Sequence, residues 1–440
     1  MARSLFPNGI EINHQKNIIE ASEETNNIIH STNTVYNPAF IYKNLSVRID
    51  ILNKVEDGFF DLIDICGNSS PKLDNYLDIG FQKFILQKLG FKIRSTIALS
   101  VDSNKFHELP IYSDSFFKFN YLNDKIDYYI KEISNKINYL QSLPKKEPPE
   151  INIQSCKSPK ECKLPLECWN FQEDMDIFYL RENHELAKKL FHNKIYYLRE
   201  IPEGEELTRV QQIQVNCAKS DCIYIDRDAI LDFLNQLQST IYYLDFEAIN
   251  PVIPIYSKTK PFQHIPFLFS LHIENNENIE HITYIEEDNI DPRFGILERL
   301  SRIIQPEGKI ICYNDTIEKK CIKEAVVIFP EFQDWWDKIK DNFIDLSYIF
   351  KNMYYYNPEQ KGSTSLKSVI KPLTGLEYKN LTIQEGVIAN REFLRLKIEP
   401  FLEDSLITKI KNDLIEYCTM DTYSMLKIIR KLKDLTNNIE

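Results

Sequence analysis

Apolar and polar positions in the first third of the chain follow two different periods. Between residues 34 and 100, four short runs alternate apolar with polar residues, which predicts strands because successive side chains of a strand point to opposite faces. Residues 74–90 repeat instead at the helical period and end at Gly90, a common helix terminator. A second amphipathic helix is predicted over 118–142, and PKKEPPE at 144–150 marks a break.

The rest of the chain changes from mainly helical to mixed. Residues 173–237 predict helix, with YLREIPEGEEL at 197–207 as a connector. From Ser239 the pattern predicts three strands, a helix and another strand, and helices fill most of 317–430. This order predicts an α/β protein. Its expected parts are a first domain at 1–150, a cysteine-containing segment and helical connector at 151–238, and a C-terminal domain at 239–440.

Composition limits the classes of function. The chain has 440 residues, 43% of them hydrophobic, so it can build several cores. Its formal net charge of −12 argues against a general polyanion-coating protein, although local lysines can still contact phosphates. We find neither a secretory leader nor an apolar run of membrane-spanning length, and the nine cysteines suit a reducing compartment. We therefore expect a soluble, cytoplasmic protein without a membrane partner.

Two carboxylates interrupt the apolar run YYLDFEA at 242–248. Asp245 and Glu247 are two residues apart, so they point to the same face of a strand. Burying two like charges together is costly unless another group neutralises them. A divalent cation is the obvious compensation.

Further carboxylates follow on elements that could converge with this strand. Glu318 falls in the first turn of a helix that follows the strand KIICYN, and Tyr417 and Asp421 lie four apart on one face of an amphipathic helix. Such oxygen ligands suit Mg²⁺ or Mn²⁺, and two of these ions can promote phosphodiester hydrolysis. D-x-E or Y-x-x-x-D alone is common in structural positions, so the prediction rests on the order of the motifs and on their elements.

The strings DFE, YNDTIE and YCTMD resemble the motifs of DEDD-type 3′–5′ exonucleases, which have a ribonuclease H-like fold. Tyr417 would place the chain in the branch that has tyrosine instead of histidine. The resemblance implies metal ligation by four carboxylates and a water-positioning role for Tyr417. The four ligands are Asp245, Glu247, Glu318 and Asp421. The second motif of the wider family ends in Asp where this chain has Glu318, and Asp315 is a rival ligand across a turn.

Longer strings are similar to an uncharacterised bacterial family that joins a RecB-like PD-(D/E)XK nuclease module to such an exonuclease module. They are DFEAINPVIPIY, PFQHIPFLFSLHI, CYNDTIEKKCI, DLSYIFKNMYYYNPEQKGSTSLKSVIKPL and YCTMDTYSML, and they extend over 240–430. The resemblance implies an exonuclease that uses two Mg²⁺ or Mn²⁺ ions and acts on DNA or RNA. The alternative is a non-catalytic nucleic-acid-binding protein in which both nuclease modules have degenerated.

Two loops of this region could contact the substrate. Gln263 and His264 lie between prolines and could line the pocket for the terminal nucleotide, although a hydrogen-bonded loop histidine is the plainer alternative. Lys361, Ser363 and Lys367 lie in the loop NPEQKGSTSLKSV and could bind phosphates, together with backbone N–H groups. An ordinary capped loop is an equal alternative there.

The string VRIDILNKVEDGFFDLIDICGNSS resembles the restriction-endonuclease-like core of RecB-like nucleases. Asp50 and Asp64 match its two acidic positions, and Gln82 matches its helix glutamine. Cys66 stands where the family has lysine, and Asn37 where glutamate is expected. The loss of one cation and one carboxylate predicts a degenerate, inactive module that could still bind nucleic acid. An unrelated α/β domain is the alternative.

Cys156, Cys162 and Cys168 have five residues between neighbours and resemble the cysteines that hold a [4Fe–4S] cluster in RecB-like exonucleases. The fourth cysteine of that family lies upstream, but the first cysteine here is Cys66. Compared with that family, either the module is N-terminally truncated or the cluster has been lost, and one cluster ligand is missing in both cases. With three cysteines an iron–sulfur cluster is not predicted, and residual zinc or free thiols remain open.

Overall fold

The computed structural model describes residues 1–143, 176–182, 184–237, 239–276, 278–286, 290–399 and 401–437. Over these residues the protein is a mixed α/β structure that has several sheets and two compact units. The first unit takes the described part of Met1–Asn170 with Pro251–Phe262, and the second takes that of Phe171–Asn250 and Gln263–Glu440. None of the helices in these ranges combines the length and apolar character that crossing a bilayer requires.

A six-stranded sheet and a separate hairpin form the strands of the first unit. The elements are β1 (Ile10–Glu11), α1 (Ile18–Ile28), β2 (Thr34–Tyr36), β3 (Ala39–Tyr42), β4 (Leu45–Arg48), β5 (Ile51–Lys54), β6 (Phe59–Ile65), α2 (Leu73–Lys88), β7 (Lys92–Val101), α3 (Ser113–Phe116), β8 (Phe117–Tyr121) and α4 (Asn123–Ser142). The sheet order is β1-β2-β5-β6-β7-β8, and β3 pairs with β4. Strands β6 and β7 are parallel, and their neighbours β5 and β8 run antiparallel to them.

The range 34–100 contains strands as predicted, but the four predicted runs form the six strands β2 to β7. The helix that ends near Gly90 is confirmed, and the φ of +89° at Gly90 favours glycine. One local prediction is corrected, and one helix was not predicted. The helix expected over 118–142 begins only at Asn123, because the preceding residues pair with β7 as strand β8. Helix α1 is not evident from the apolar pattern, and Asn17 caps it by accepting N–H hydrogen bonds from two residues of its first turn, each 3.0 Å long.

The segment Pro251–Phe262 belongs to the first unit, although in the chain it follows directly on Phe171–Asn250 of the second unit. The His107 N–H donates to the Thr259 carbonyl at 2.9 Å, and the Lys258 N–H donates back to the His107 carbonyl at 2.8 Å. This antiparallel bridge attaches the segment by backbone hydrogen bonds.

A five-stranded sheet is the centre of the second unit. The elements are α5 (His184–His192), α6 (Arg209–Ser220), β9 (Tyr224–Ile225), α7 (Arg227–Leu234), β10 (Ile241–Ile249), β11 (Ile265–Asn275), β12 (Asn278–Ile285), α8 (Pro292–Ile303), β13 (Lys309–Cys312), α9 (Thr316–Ile328), α10 (Gln333–Ile339), β14 (Phe343–Asp345), α11 (Ser347–Lys351), β15 (Tyr355–Tyr356), α12 (Leu366–Thr374), α13 (Gly386–Ile398) and α14 (Asp404–Asn437). The sheet order is β12-β11-β10-β13-β14. The pairs β12/β11 and β11/β10 are antiparallel, whereas β10/β13 and β13/β14 are parallel.

The region 173–237, expected to be helical around one connector, contains the three helices α5, α6 and α7 in its described part. Thr208 begins α6 with a capping box. Its hydroxyl accepts from the Gln211 N–H at 3.3 Å, and the Gln211 side-chain oxygen accepts from the Thr208 N–H at 3.0 Å. Asp221, in the left-handed conformation, ends the helix.

The two faces of β10 differ in what covers them. Tyr242, Leu244 and Phe246 share a core with residues of α8 and α9. The alternate side chains face α14, where the Cys418 thiol contacts Asp245. Because side chains alternate along a strand, Asp245 and Glu247 both lie on the α14 face.

Candidate metal centre

Strand β10 and helix α14 bring the first two predicted ligands together with a cysteine. The Cys418 Sγ lies 3.3 Å from the Asp245 Oδ2 and 3.6 Å from the Asp245 carbonyl oxygen. One ligand atom from each of Asp245, Glu247 and Cys418 lies within 4.8 Å of the others. Glu247 and Cys418 are buried and Asp245 is half-buried. The group is compact enough to bind an ion and reaches solvent at Asp245.

Glu318 joins this group from the first turn of α9, which follows β13. Glu318 is only 5% exposed, and its Oε2 has no hydrogen-bond partner among the described residues. Burial raises the pKa of Glu318 to about 8, and hydrogen bonds from the backbone N–H groups of Glu318 and Phe246 act against this rise. A buried oxygen without a partner is a free-energy cost that a bound cation would remove.

Tyr417 and Asp421 contribute to the same group from α14, one helical turn apart. The Tyr378 hydroxyl donates to the Asp421 Oδ1 at 2.5 Å and lies 3.2 Å from the Ser424 hydroxyl. Burial raises the pKa of Asp421 to about 6, against hydrogen bonds from the two tyrosines and the charge of Lys367, which lower it. Tyr378 therefore orients the last of the predicted ligands.

The acidic side chains of this group raise one another's pKa values. Burial is the largest cause for Asp245, followed by the charges of Asp421, Glu247 and Glu318, and its pKa lies well above 3.8. Burial and the charge of Asp421 also raise the pKa of Glu247 well above 4.5, while Lys367 lowers it. A divalent cation would supply the positive charge that these groups lack, and carboxylate oxygens suit Mg²⁺ or Mn²⁺. The residues present fit such an ion.

Lys367 is the cation that reaches this group. Its Nζ donates to the Tyr417 hydroxyl at 3.0 Å and to the Gln384 carbonyl oxygen. Lys367 therefore contacts the tyrosine of the predicted site, and its predicted contact with substrate phosphates stays a prediction.

The rival ligand Asp315 has another partner. Its Oδ2 lies 2.5 Å from the Nζ of Lys319, one turn further along α9. Besides burial, its charge raises the pKa of Glu318. Asp315 is thus already paired with a cation, whereas Glu318 is buried with an unpartnered Oε2, and this difference favours Glu318 as the ligand from this part of the chain.

The other predicted substrate residues lie in loops. Gln263 is buried and His264 half-buried directly before β11, and burial lowers the pKa of His264. Lys361 is exposed, and the Ser363 hydroxyl donates to the hydroxyl of Ser365, the N-cap residue of α12. The second loop has the hydrogen bonds of an ordinary capped loop, whereas the Nδ1 of His264 in the first loop is buried and has no partner among the described residues. Contact with nucleotides stays a prediction for both loops.

The predicted residues of the first unit also come together. The Gln82 Nε2 and the Cys66 Sγ each lie 3.4 Å from an oxygen of Asp64, and the Asp50 Oδ2 accepts from the Ile65 N–H at 2.6 Å. Burial and then the charge of Asp50 raise the pKa of Asp64 to about 6. Burial raises the pKa of Cys66 to about 12, so the thiol stays neutral. It cannot replace the positive charge of the lysine that the resemblance implies at this position.

The three cysteines of the predicted cluster segment, Cys156, Cys162 and Cys168, lie outside the described residues. The zinc, free-thiol and iron–sulfur alternatives for them therefore stay open.

Comparison with known proteins connects the chain with uncharacterised sequences. The model of a domain of unknown function, DUF2779, matches residues 242–365, a range that contains Asp245, Glu247 and Glu318. An uncharacterised protein of Mycoplasma pneumoniae, the MG366 homolog, is 23% identical over 223 residues, which are 46% of this chain. The match spans about a third of that relative, 33% of its length. No solved structure matches the chain. These findings show that part of the chain is similar to uncharacterised bacterial sequences, and they assign no activity.

Sequence reasoning missed Tyr378 and Cys418 as neighbours of the site. Tyr378 lies in a loop, 43 residues before its partner Asp421, and carries no periodic signal. Cys418 directly follows Tyr417 on α14, and the sequence alone indicates only an ordinary helix cysteine. Its contact with Asp245 depends on the packing of α14 against β10.

Proposed function

We propose that the second unit is a metal-dependent 3′–5′ exonuclease that hydrolyses the phosphodiester bonds of nucleic acid. The observation that carries the proposal is the buried group of Asp245 and Glu247, whose neighbours Glu318 and Asp421 lie close enough for their charges to add to the effect of burial in raising the pKa of Asp245. The Oε2 of Glu318 has no partner among the described residues, and Tyr417 lies one turn before Asp421. Acidic clusters on a protein surface are common, but this one is buried, and burial without a cation is costly. Bound metal ions would offset the free-energy cost of burying these carboxylates.

The strand arrangement supports the same proposal. Three antiparallel strands are followed by two strands parallel to the central one, and the sheet order is β12-β11-β10-β13-β14. This is the arrangement that the resemblance to a ribonuclease H-like fold implies. The four predicted ligands lie on the central strand and on two helices, which is consistent with that resemblance.

The proposed reaction is hydrolysis at the 3′ end of the chain. Two bound divalent cations would activate a water molecule and stabilise the departing oxygen. The water oxygen bonds to phosphorus, the bond from phosphorus to the 3′ oxygen breaks, and a nucleoside 5′-monophosphate leaves. Asp245, Glu247, Glu318 and Asp421 would bind the cations. Burial raises the pKa of the Tyr417 phenol, so its hydroxyl is neutral. This hydroxyl would orient the water, a role that requires only a hydrogen bond.

We also propose that the first unit is a RecB-like module without activity. Its grouped carboxylates, Asp50 and Asp64, lie next to the neutral thiol of Cys66, where the resemblance expects a lysine. A lysine at that position would place a positive charge near the attacked phosphate. Without it, binding or bracing is the role that remains for this unit.

The experiment is degradation of 5′-labelled single-stranded DNA and RNA in Mg²⁺ or Mn²⁺. We expect a ladder that shortens from the 3′ end and disappears with EDTA. Asp245→Asn and Asp421→Asn should each lower the rate by on the order of 100-fold or more, since each removes a ligand charge. Glu416→Gln is the matched control, because Glu416 is an exposed acid on the same helix.

A second outcome would favour the alternative function. If the wild-type protein binds both substrates but shortens neither, in either metal, the exonuclease proposal fails. A non-catalytic nucleic-acid-binding protein would then be the function that agrees with the result.

A further inference from the structure

Several contacts hold the ammonium group of Lys367 in one position. Ser365 caps α12, so the lysine is in the first turn of the helix. Its Nζ donates to the Tyr417 hydroxyl and to the Gln384 carbonyl. The same Nζ lies 4.8 Å from the centre of the Tyr417 ring and 5.3 Å from that of the Tyr378 ring. Two hydrogen bonds and two aromatic rings therefore determine where the ammonium group lies.

The hydroxyl groups of Tyr378 and Tyr417 both donate hydrogen bonds to the carboxylate of Asp421. The Tyr378 hydroxyl donates to Asp421, and a hydrogen bond from Tyr417 also lowers the pKa of Asp421, after the larger effect of burial, which raises it. The ring centres of Tyr378 and Tyr417 are 6.3 Å apart. Lys367 thus lies at the junction of two hydroxyl groups that both point towards one predicted ligand.

The direction of the hydrogen bond from Lys367 has a chemical consequence. An ammonium group has three donors and no acceptor, so the Tyr417 oxygen must accept from it. The proton of Tyr417 is then free to be donated, either to Asp421 or to a water oxygen that approaches it. A tyrosine without this lysine could rotate its proton and accept from the water instead.

We propose that Lys367 is a positioning residue that makes Tyr417 a hydrogen-bond donor to the attacking water. This inference rests on the proposed exonuclease function. It assigns to Lys367 an action through Tyr417 and no contact with a substrate phosphate.

A double-mutant cycle separates this role from phosphate binding. Lys367→Met keeps the aliphatic chain and removes the charge, and Tyr417→Phe removes the hydroxyl. We expect Lys367→Met to lower kcat by roughly 10- to 100-fold and to leave KM within about 2-fold. In the Tyr417→Phe background the same change should alter kcat by less than about 3-fold, because its target is gone.

Lys371→Met is the matched control. Lys371 lies one turn further on the same helix, is exposed, and pairs with Glu377 at 2.7 Å. We expect this variant to keep wild-type kcat and KM. Thermal denaturation and Mn²⁺ titration by calorimetry would show that Lys367→Met is folded and still binds the metal, which is a readout independent of turnover.

Two other outcomes would overturn the inference in different ways. If the wild type is active and the effects of Lys367→Met and Tyr417→Phe multiply, or if Lys367→Met mainly raises KM, Lys367 contacts the substrate and the positioning role is wrong. If the wild type shortens no nucleic acid, the proposed function itself fails and the role of Lys367 fails with it.

Discussion

The free energy of unfolding depends on the charge state of Glu318. Its carboxylate is buried, one of its oxygens has no partner among the described residues, and burial raises its pKa to about 8. A carboxyl whose pKa is higher in the folded than in the unfolded state binds its proton more tightly when folded. Stability from this group is therefore fully present below the ordinary pKa of 4.5 and is lost as pH rises towards 8.

Glu318→Gln should remove this loss. We expect the metal-free variant to be more stable than the wild type at pH 8, by on the order of 1–3 kcal/mol, and nearly equal to it at pH 5. Urea denaturation in EDTA at both pH values measures the difference. Adding Mn²⁺ should stabilise the wild type at pH 8 and the variant much less. A wild type with equal stability at both pH values, and no gain in the variant, would contradict the expectation.

Cys418 adds a soft ligand to a group of hard ones. Burial raises its pKa well above 9.0, so the thiol stays protonated beside Asp245 and does not compete for Mg²⁺. Zn²⁺ and Cd²⁺ bind thiolates strongly and can displace that proton. We expect Cd²⁺ to give a stronger cadmium–thiolate absorption with the wild type than with Cys418→Ser, and Zn²⁺ to inhibit the wild type more strongly. Cys321→Ser is the buried-cysteine control, and equal spectra for wild type and Cys418→Ser would exclude this role.

Helix α14 is attached to the sheet by a polar contact directly beside the ligands. Ser270 of β11 pairs with Asp245 across the sheet, and Thr422 follows Asp421 in the helix. Their hydroxyl oxygens are 2.7 Å apart, and the Thr422 hydroxyl also lies 2.8 Å from the His272 Nδ1. Because all these atoms are buried, the contact sets the distance between the strand and the helix that bear the ligands.

Thr422→Val tests this attachment, because valine keeps the shape and removes the hydroxyl. We expect a loss of about 1–3 kcal/mol in the free energy of unfolding, since Ser270 and His272 lose a buried partner. We also expect weaker Mn²⁺ binding. Thr436→Val is a control on the same helix, because the Thr436 hydroxyl bonds only to carbonyls of its own helix in the contacts seen. Equal losses for the two variants would show that the contact to the sheet has no special role.

Local patterns predicted those elements whose burial is periodic. Strand β7 forms one of the runs predicted between residues 34 and 100, and β10 and α14 occur where the alternation and the amphipathic face predicted a strand and a helix. The pairing of Asp245 with Ser270 and the contact of Tyr378 with Asp421 join residues distant in the chain. Such pairs depend on the packing of whole elements, so no spacing in the sequence could reveal them.

Each unit of the molecule has a buried acidic group, and the two groups differ in their neighbours. In the second unit, Lys367 and the hydroxyl of Tyr417 lie next to the carboxylates, and Glu318 has an unpartnered oxygen. In the first unit, the oxygens of Asp64 already face the Gln82 amide and the Cys66 thiol. The second group has an unpartnered oxygen, a cation and a hydroxyl, which the proposed hydrolysis would use. Among the contacts of the described residues, no cation lies next to Asp64 in the first group.

This difference predicts that one unit carries the nuclease activity. Asp64→Asn should leave kcat within about 2-fold of the wild type, whereas Asp245→Asn should lower it by on the order of 100-fold or more. Asp64→Asn should also raise the metal-free stability above pH 6, because the pKa of Asp64 is raised to about 6 by burial and by Asp50, so a neutral amide avoids a buried charge. The measurements are single-stranded DNA and RNA degradation and urea denaturation of both variants. If Asp64→Asn lowers kcat as much as Asp245→Asn does while remaining folded, the first unit takes part in catalysis, and the lysine that Cys66 replaces is not required for it.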